Sequence, residues 1–383
     1  MKATDPDGGY DTDSTTVTVT NVAPRFDSLT SNGPKPENTA IRVDGVIKDA
    51  GWLDPLTATV DWGDGTPVEN VTGTIEHIRP DASLTFNISH TYGDDGTFTA
   101  HFCAFDDDTS TCQDIALTTT NVDPTAAIDE SGATIINGIP TVIGHAGQPV
   151  TFNGRITDPG SDDETATWHW GDGTPDTVNT SLNDPAFNPD PDPSPTIHPR
   201  DYVDTRDHTF GDACLYTVTF QSADDDNGVS SLDTIQVIIV GNADETITSE
   251  HWRHEFNFRD QSDFTDAELN CYLAITGYVS NVFNETRDAS TIPLAAGVLA
   301  LKAPPLVEEK RHLDAEILAA WLNFANGSID WNQLIDTDKN GTGDTPFYAV
   351  MATAEAVRNS PSATKQQYIV QRDLLRRVNR GAA

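Results

Sequence analysis

Two periodicities divide the chain. Over roughly the first 240 residues apolar and polar positions alternate with period two, the mark of strands that bury one face. Tyr216, Val218 and Phe220 alternate with Thr217, Thr219 and Gln221, and Phe98, Ala100, Phe102 and Ala104 hold the same places about 120 residues earlier. Val17 and Val19 alternate with threonines, as do Ala58 and Val60. The spacing predicts a strand at each. From about residue 243 the period becomes helical. Thr265-Asp266-Ala267-Glu268 reads as a capping box, ahead of a stripe made by Leu269, Tyr272, Leu273, Thr276, Val279 and Phe283. Leu313, Ile317, Trp321 and Phe324 form a second stripe, stopped by Asn326-Gly327. A third helix is expected from Thr345-Pro346, with proline at the first helical position, through Phe347, Val350, Met351, Ala354 and Val357. A fourth runs from about Ser362 to Asn379 with Ile369, Leu375 and Val378 inward. Its Arg372, Arg376, Arg377 and Arg380 are read as a solvated basic face that suits a helix C-terminus, or alternatively as a docking surface for an acidic repeat.

The strand-rich part repeats itself. Asp61-Trp62-Gly63-Asp64-Gly65-Thr66-Pro67 returns 108 residues later as His169-Trp170-Gly171-Asp172-Gly173-Thr174-Pro175. Each copy continues with a second block, His90-Thr91-Tyr92-Gly93-Asp94 and His208-Thr209-Phe210-Gly211-Asp212, and a third, Asp106-Asp107-Asp108 and Asp224-Asp225-Asp226. The first full copy closes on Asn121-Val122-Asp123-Pro124, as Asn21-Val22-Ala23-Pro24 closes a shortened copy before it. A period near a hundred residues implies tandem domains, since solenoid repeats are shorter. Glycine and aspartate after each tryptophan are turn chemistry, and a buried tryptophan leading into such a turn suits a two-sheet sandwich.

These three ordered blocks resemble the PKD (polycystic-kidney-disease type) repeat over about residues 1–242. The resemblance implies Ig-like β-sandwiches, found mostly outside the cell as spacer, adhesion or substrate-docking modules. The expected layout is a partial repeat at 1–27, sandwiches at 28–125 and 126–242, and an α-helical domain at 243–383. The partial repeat supplies only last strands, which suggests a fragment of a longer protein. Between its tryptophan and histidine blocks the second sandwich carries about ten extra residues, rich in proline and aspartate, within Asn183–Pro195. Such a segment forms no ladder and is expected as an exposed surface loop.

The chain of 383 residues has a formal net charge of −38. Residues 1–242 hold 40 acidic against 9 basic side chains, and residues 243–383 hold 20 against 13. This surface repels nucleic acid and anionic lipid and attracts divalent cations. The acidity fits either a high-salt habitat or Ca²⁺-rich extracellular repeats. No apolar run approaches the ~20 residues of a membrane span, and no secretion signal follows Met1; with a chain that opens in mid-repeat, truncation accounts for the missing signal better than a cytosolic home.

Cys103 lies on one strand and Cys112, nine positions later, on the returning strand, both on the face opposite the Phe98–Phe102 stripe, so a cross-hairpin bridge on the solvent side is expected. Cys214 falls at the exit end of the second sandwich, and Cys271 is its remaining partner, across the domain junction. Two bridges imply an oxidising compartment; the competing reading is four free thiols.

The segment Asp336-Thr337-Asp338-Lys339-Asn340-Gly341-Thr342-Gly343-Asp344 places oxygen side chains at loop positions 1, 3, 5 and 9, with glycine at 6. That spacing wraps a loop around a hard cation wanting six to eight oxygens. It resembles the loops of EF-hand and dockerin modules and implies Ca²⁺ held by Asp336, Asp338, Asn340, Asp344 and the Thr342 carbonyl. Position 12, a carboxylate in those families, is Phe347, so binding is expected to be weaker or to draw on Asp330. A plain helix-capping turn is the alternative. The acidic triplets are read either as cation ligands gathered at a strand end or as solvated hairpin tips. His251-Trp252-Arg253-His254-Glu255 lacks the spacing of zinc-protease helices and is read as a surface linker; His90 and His208 are expected to hydrogen-bond locally. No nucleophile motif or phosphate loop stands out. The favoured function is therefore a non-catalytic extracellular module, Ca²⁺-supported, that binds a protein or polysaccharide. The alternative is the accessory docking region of a secreted protease or glycosidase whose catalytic domain lies elsewhere.

Overall fold

The computed structural model describes residues 1–182, 191, 193–284, 287–300 and 308–382. Its β part is two sandwiches in series. In the first, a four-stranded sheet in the order Arg25–Ser31, Ile41–Asp49, Asp81–His90, Gly73–Ile78 faces a five-stranded sheet in the order Lys35–Pro36, Ser110–Thr120, Gly96–Phe105, Thr57–Asp61, Glu69–Asn70. The period-two residues meet between them: Ile41, Val43 and Ile47 from one sheet pack with Val60, Ala100, Phe102 and Leu117 from the other. The second sandwich sets a three-stranded sheet (Thr125–Ile128, Pro149–Asp158, Arg200–Thr209) against a six-stranded one (Thr134–Ile136, Ile139–His145, Asp233–Val240, Leu215–Ala223, Glu164–His169, Thr177–Leu182). Phe152, Ile156, Trp168, Trp170, Val218 and Phe220 fill it.

Strand Asp233–Val240 departs from strict alternation for a physical reason. Val237 and Ile239 point into the sandwich core, while Ile238 and Val240 belong to the core of the helical region. A strand covered on both faces reads as a continuous apolar run. The helices are α1 (Ser249–Asn257), α2 (Asp266–Val279), α3 (Ile292–Leu299), α4 (Glu308–Ala325), α5 (Phe347–Asn359) and α6 (Lys365–Val378). Helix α4 is central, with Leu313, Ile317, Trp321 and Phe324 all buried, and the other helices surround it. Thr265 and Glu268 form the expected capping box of α2. No helix among the described residues is long and apolar enough to cross a membrane.

The chain is fastened where the second sandwich meets the helices. Gly241 N donates to Ala325 O at 2.9 Å and Ala243 N to Asn326 O at 3.0 Å. The backbones approach so closely that a Cβ on Gly327, whose φ is +87°, would lie 1.9 Å from Gly241 O. Cys214, just before its strand, is bonded to Cys271 on α2. Cys103 and Cys112 lie opposite in register and are bonded too.

Several expectations need correction. Residues 13–24 form no strand, and Val17 and Val19 are exposed; with no sheet edge beside it, their alternation has nothing to bury against. The short hairpin Lys2–Thr4 with Tyr10–Thr12 is likewise fully exposed. Pro346 is the N-cap of α5, one position before its first turn, because Thr345–Pro346 pairs with Leu334–Ile335. The His251–Glu255 segment is helix α1 rather than linker, and its Trp252 is buried. Three of the four arginines do not form a solvated face: Arg372 pairs with Glu309, Arg376 with Glu316, and Arg377 donates to Asp336 O, while Arg380, past the end of α6, is exposed. Most of the proline-rich insertion, residues 183–190 and 192, lies outside the described residues. Its far end is not exposed: Ser194 is buried against the first sandwich and donates its amide to Asp94.

Candidate functional site: an acid-lined junction between the sandwiches

Both sandwiches build the same turn from the same residues. After each tryptophan the chain turns on a glycine of positive φ, Gly63 at +79° and Gly171 at +74°, where a Cβ would lie 2.4 Å from Thr99 O and 2.5 Å from Thr217 O. The following aspartate meets the block-two histidine, Asp64 with His90 at 2.6 Å and Asp172 with His208 at 2.8 Å. Each imidazole stacks on its tryptophan, with centroids 4.7 and 4.2 Å apart. Burial works to raise the Asp64 carboxyl, but hydrogen bonds from Thr66 and His90 outweigh it and hold it below its ordinary value. These histidines are framework, as expected from the sequence.

The triplets have a different fate at the opposite poles of the sandwiches. Asn21 Nδ2 donates to Asp106 Oδ2 and Asn121 Nδ2 to Asp224 Oδ2, each at 2.9 Å. Gly51 N donates to Asp49 Oδ1 and Gly160 N to Asp158 Oδ1, each at 2.5 Å. One motif therefore recurs at one end of each sandwich. In the second copy that end abuts the first sandwich, and the acids of both crowd together.

At this junction Glu37, Asp94, Asp158, Asp162, Glu164 and Asp224 are all buried, with Arg200 as a buried cation. Glu37 Oε1 accepts from Val122 N at 2.6 Å, and its carboxylate reaches over Gly160, where a Cβ would lie 2.6 Å from Glu37 Cδ. Arg200 Nε donates to Asp162 O at 2.7 Å, so the guanidinium props the loop backbone. Glu164 Oε2 accepts from Ser222 Oγ at 2.5 Å. Both Asp162 carboxylate oxygens, Glu37 Oε2 and Asp158 Oδ2 are buried without a hydrogen-bond partner. Burial, reinforced by the neighbouring carboxylates, pushes Glu37 up to about 8, Asp158 to about 6 and Asp162 to about 10; burial likewise takes Glu164 to about 7. Ionising this cluster requires compensating positive charge. Its donors are all oxygens, which suits a hard cation such as Ca²⁺ or Mg²⁺ over a soft one.

The 336–344 loop, which the sequence singled out, has another character. Asp336 accepts from the amides of Lys339, Asn340 and Gly341, Asp338 from Asn340, and Asn340 Oδ1 from Thr342. Asp344 accepts from Thr337 and Thr345. Gly341 takes φ +85° and Lys339 φ +65°. Burial works to raise Asp336, but the three amides hold it below its ordinary value. Asp336 is half-buried and Asp338, Asn340 and Asp344 are exposed, and amides and threonine hydroxyls of the same loop already satisfy these oxygens. Phe347 is buried in the helical core, and the Asp330 carboxylate lies 3.7 Å from His145 Nε2.

Sequence reading recognised the triplets but not Glu37, Asp158, Asp162 or Glu164. A usable signal was present: an aspartate at a strand end with glycine two positions on occurs in both copies, at Asp49-Ala50-Gly51 and Asp158-Pro159-Gly160.

Comparison with known proteins agrees with this architecture in part. A family model described as PKD domain matches residues 134–237, within the second sandwich. None of the curated proteins compared with the chain matches it. Among solved structures, the chain is similar to the PKD domain of an M14-like peptidase from a Thermoplasmatales archaeon, at 19% identity over 31% of this chain and 98% of that one, with a TM-score of 0.22. It is also similar to the PKD1 domain of Vibrio anguillarum Epp, at 15% identity over 26% of this chain and 100% of that one, TM-score 0.19. Fibronectin(III)-like modules of Clostridium thermocellum CbhA align at 11% identity over 56% and 93%, TM-score 0.22.

Proposed function

We propose that this chain is a non-catalytic extracellular module of a larger surface or secreted protein, a stiff spacer that also binds a protein or polysaccharide. The observation that carries the reading is the way successive units are tied. The sandwiches meet at the acid-lined junction, where Ser194 donates to Asp94, Asn121 donates to Asp224 and the Glu37 carboxylate lies over Gly160. The second sandwich and the helices share one apolar core, backbone hydrogen bonds and the Cys214–Cys271 bridge. Linkers built for swivelling are exposed and poor in contacts; these joints are the opposite. The match of residues 134–237 to the PKD domain and the presence of two disulfides support an extracellular setting. The charge of −38 weighs against nucleic acid as partner. In this reading Ca²⁺ in the 336–344 loop steadies the helical end.

Small-angle scattering on the oxidised chain in buffer containing Ca²⁺ tests the spacer. One rigid, elongated particle is expected. A curve that only an ensemble of swivelling units fits would overturn the spacer. Hydrolysis of protein or polysaccharide by the purified chain, abolished by a single carboxylate substitution, would overturn the non-catalytic reading.

A further inference from the structure

We propose that the junction between the sandwiches is a polynuclear Ca²⁺ site, holding at least two ions bridged by the carboxylates of Asp162 and Asp226 and ligated from both sandwiches. Three groups of carboxylates bring one oxygen each to within 4.8 Å of one another: Glu37 with Asp158 and Asp162, Asp94 with Asp95 and Asp226, and Asp162 with Asp225 and Asp226. Oxygens bound to one Ca²⁺ at about 2.4 Å can lie no more than about 4.8 Å apart, and each group meets that requirement. The groups are linked, since Asp162 belongs to two of them and Asp226 to two. A carboxylate has two oxygens and can serve an ion on either side.

The burial of Asp162 is the observation independent of clustering. It is 2% exposed, neither carboxylate oxygen has a hydrogen-bond partner, and Glu37 Oε2 and Asp158 Oδ2 are unpartnered beside it. A buried carboxylate left so is costly unless a proton or a cation compensates it. Protons would serve one carboxyl at a time; a divalent ion serves three, and the donor set is oxygen throughout. Mg²⁺ demands a tight octahedron and keeps its waters, whereas Ca²⁺ accepts six to eight oxygens in a loose shell, as a many-carboxylate site offers.

The ligands divide between the units. Glu37, Asp94 and Asp95 come from the first sandwich, and Asp158, Asp162, Asp225 and Asp226 from the second. Bound ions would therefore cross-link the joint. The proposal takes the joint from the spacer reading, but its test counts ions and does not depend on particle shape.

The test uses the full chain in an Asp336→Ala/Asp338→Ala background, stripped with chelator and titrated with Ca²⁺ alone. Native mass spectrometry gives the count and calorimetry the affinities. At least two ions per chain are expected. Asp162→Asn should remove at least one, and Glu37→Gln should weaken binding by tenfold or more. Asn at 162 is neutral, as a protonated carboxyl is, so in chelator this variant should melt no lower than its parent, which controls for misfolding. A single ion would overturn the polynuclear site, and no ion would show a cluster held by protons. Full retention in Asp162→Asn would overturn the bridging role, and unchanged affinity in Glu37→Gln would overturn the ion assigned to Glu37, Asp158 and Asp162. A rigid particle together with no bound ion would leave the spacer standing and sink this inference alone.

Discussion

At the scale of single residues, the His–Asp–Trp unit shows how the repeat is built. Asp64 accepts from His90, from Thr66 N at 3.0 Å and from Thr66 Oγ1 at 2.5 Å, while Tyr92 donates to Trp62 O at 2.9 Å. One carboxylate thus satisfies three donors beneath the ring stack. Asp64→Ala would strand the imidazole and the turn amide, and is expected to destabilise the first sandwich by about 1–3 kcal/mol in denaturant unfolding, with Asp172→Ala costing the second about as much. The pH dependence has a definite sign. The folded carboxyl of Asp64 sits below its unfolded value of about 3.9. Its contribution is full above that unfolded value and is lost as pH falls through the lower folded one. The stability gap between wild type and Asp64→Asn should therefore hold from pH 7 to about 5 and narrow in stronger acid; a gap that widens there would count against the assignment. Gly327 makes the companion case from backbone. Its positive φ and the 1.9 Å approach to Gly241 O leave no room for a methyl. Gly327→Ala should cost about 2 kcal/mol or more, read as a lowered melting temperature.

At the scale of elements, local signals were read well and contextual ones were not. Thr265 with Glu268 caps α2, and the α4 stripe is buried, because both depend on residues a few positions apart. The arginines of α6 were misjudged because Glu309 and Glu316, on α4, lie some 60 residues away in sequence. Val17 and Val19 have the strand pattern but no partner edge, which alternation cannot report. The 336–344 loop was legible as a loop with ligand spacing; its affinity was not, since backbone amides already satisfy its oxygens. If Ca²⁺ displaces those bonds, the helical region should gain stability by mass action, about 2.7 kcal/mol when free Ca²⁺ reaches a hundredfold Kd. Differential scanning fluorimetry across a Ca²⁺ titration checks this. Wild type should melt higher as Ca²⁺ rises, and an Asp336→Ala/Asp338→Ala chain should lose the part of that shift that belongs to the helices; equal shifts would make the loop only a turn.

At the scale of the whole molecule, the informative features join residues far apart in sequence. Glu37, Asp94, Asp162 and Asp226 span almost 190 positions, and each alone reads as one more surface acid in a chain with 60 of them. Only the stacking of one sandwich on the next turns them into a buried cluster. The junction with the helices is similarly non-local, and there two separate fasteners act on one joint. The Cys214–Cys271 bridge closes 57 residues, against 9 for Cys103–Cys112. Loop entropy then assigns about 4 kcal/mol to the first and about 2.5 kcal/mol to the second. Yet Ile136, Ile238 and Val240 of the sandwich share a core with Leu269, Trp321 and Phe324 of the helices, independently of the disulfide. Replacing Cys214 and Cys271 by serine should therefore lower the melting temperature more than the same change at Cys103 and Cys112. It should not split the transition, because the apolar faces would still need each other. Calorimetry resolves the point: second sandwich and helices unfolding together at a lower temperature is the expected result, and their separation into two transitions would show that the bridge, rather than the shared core, couples them.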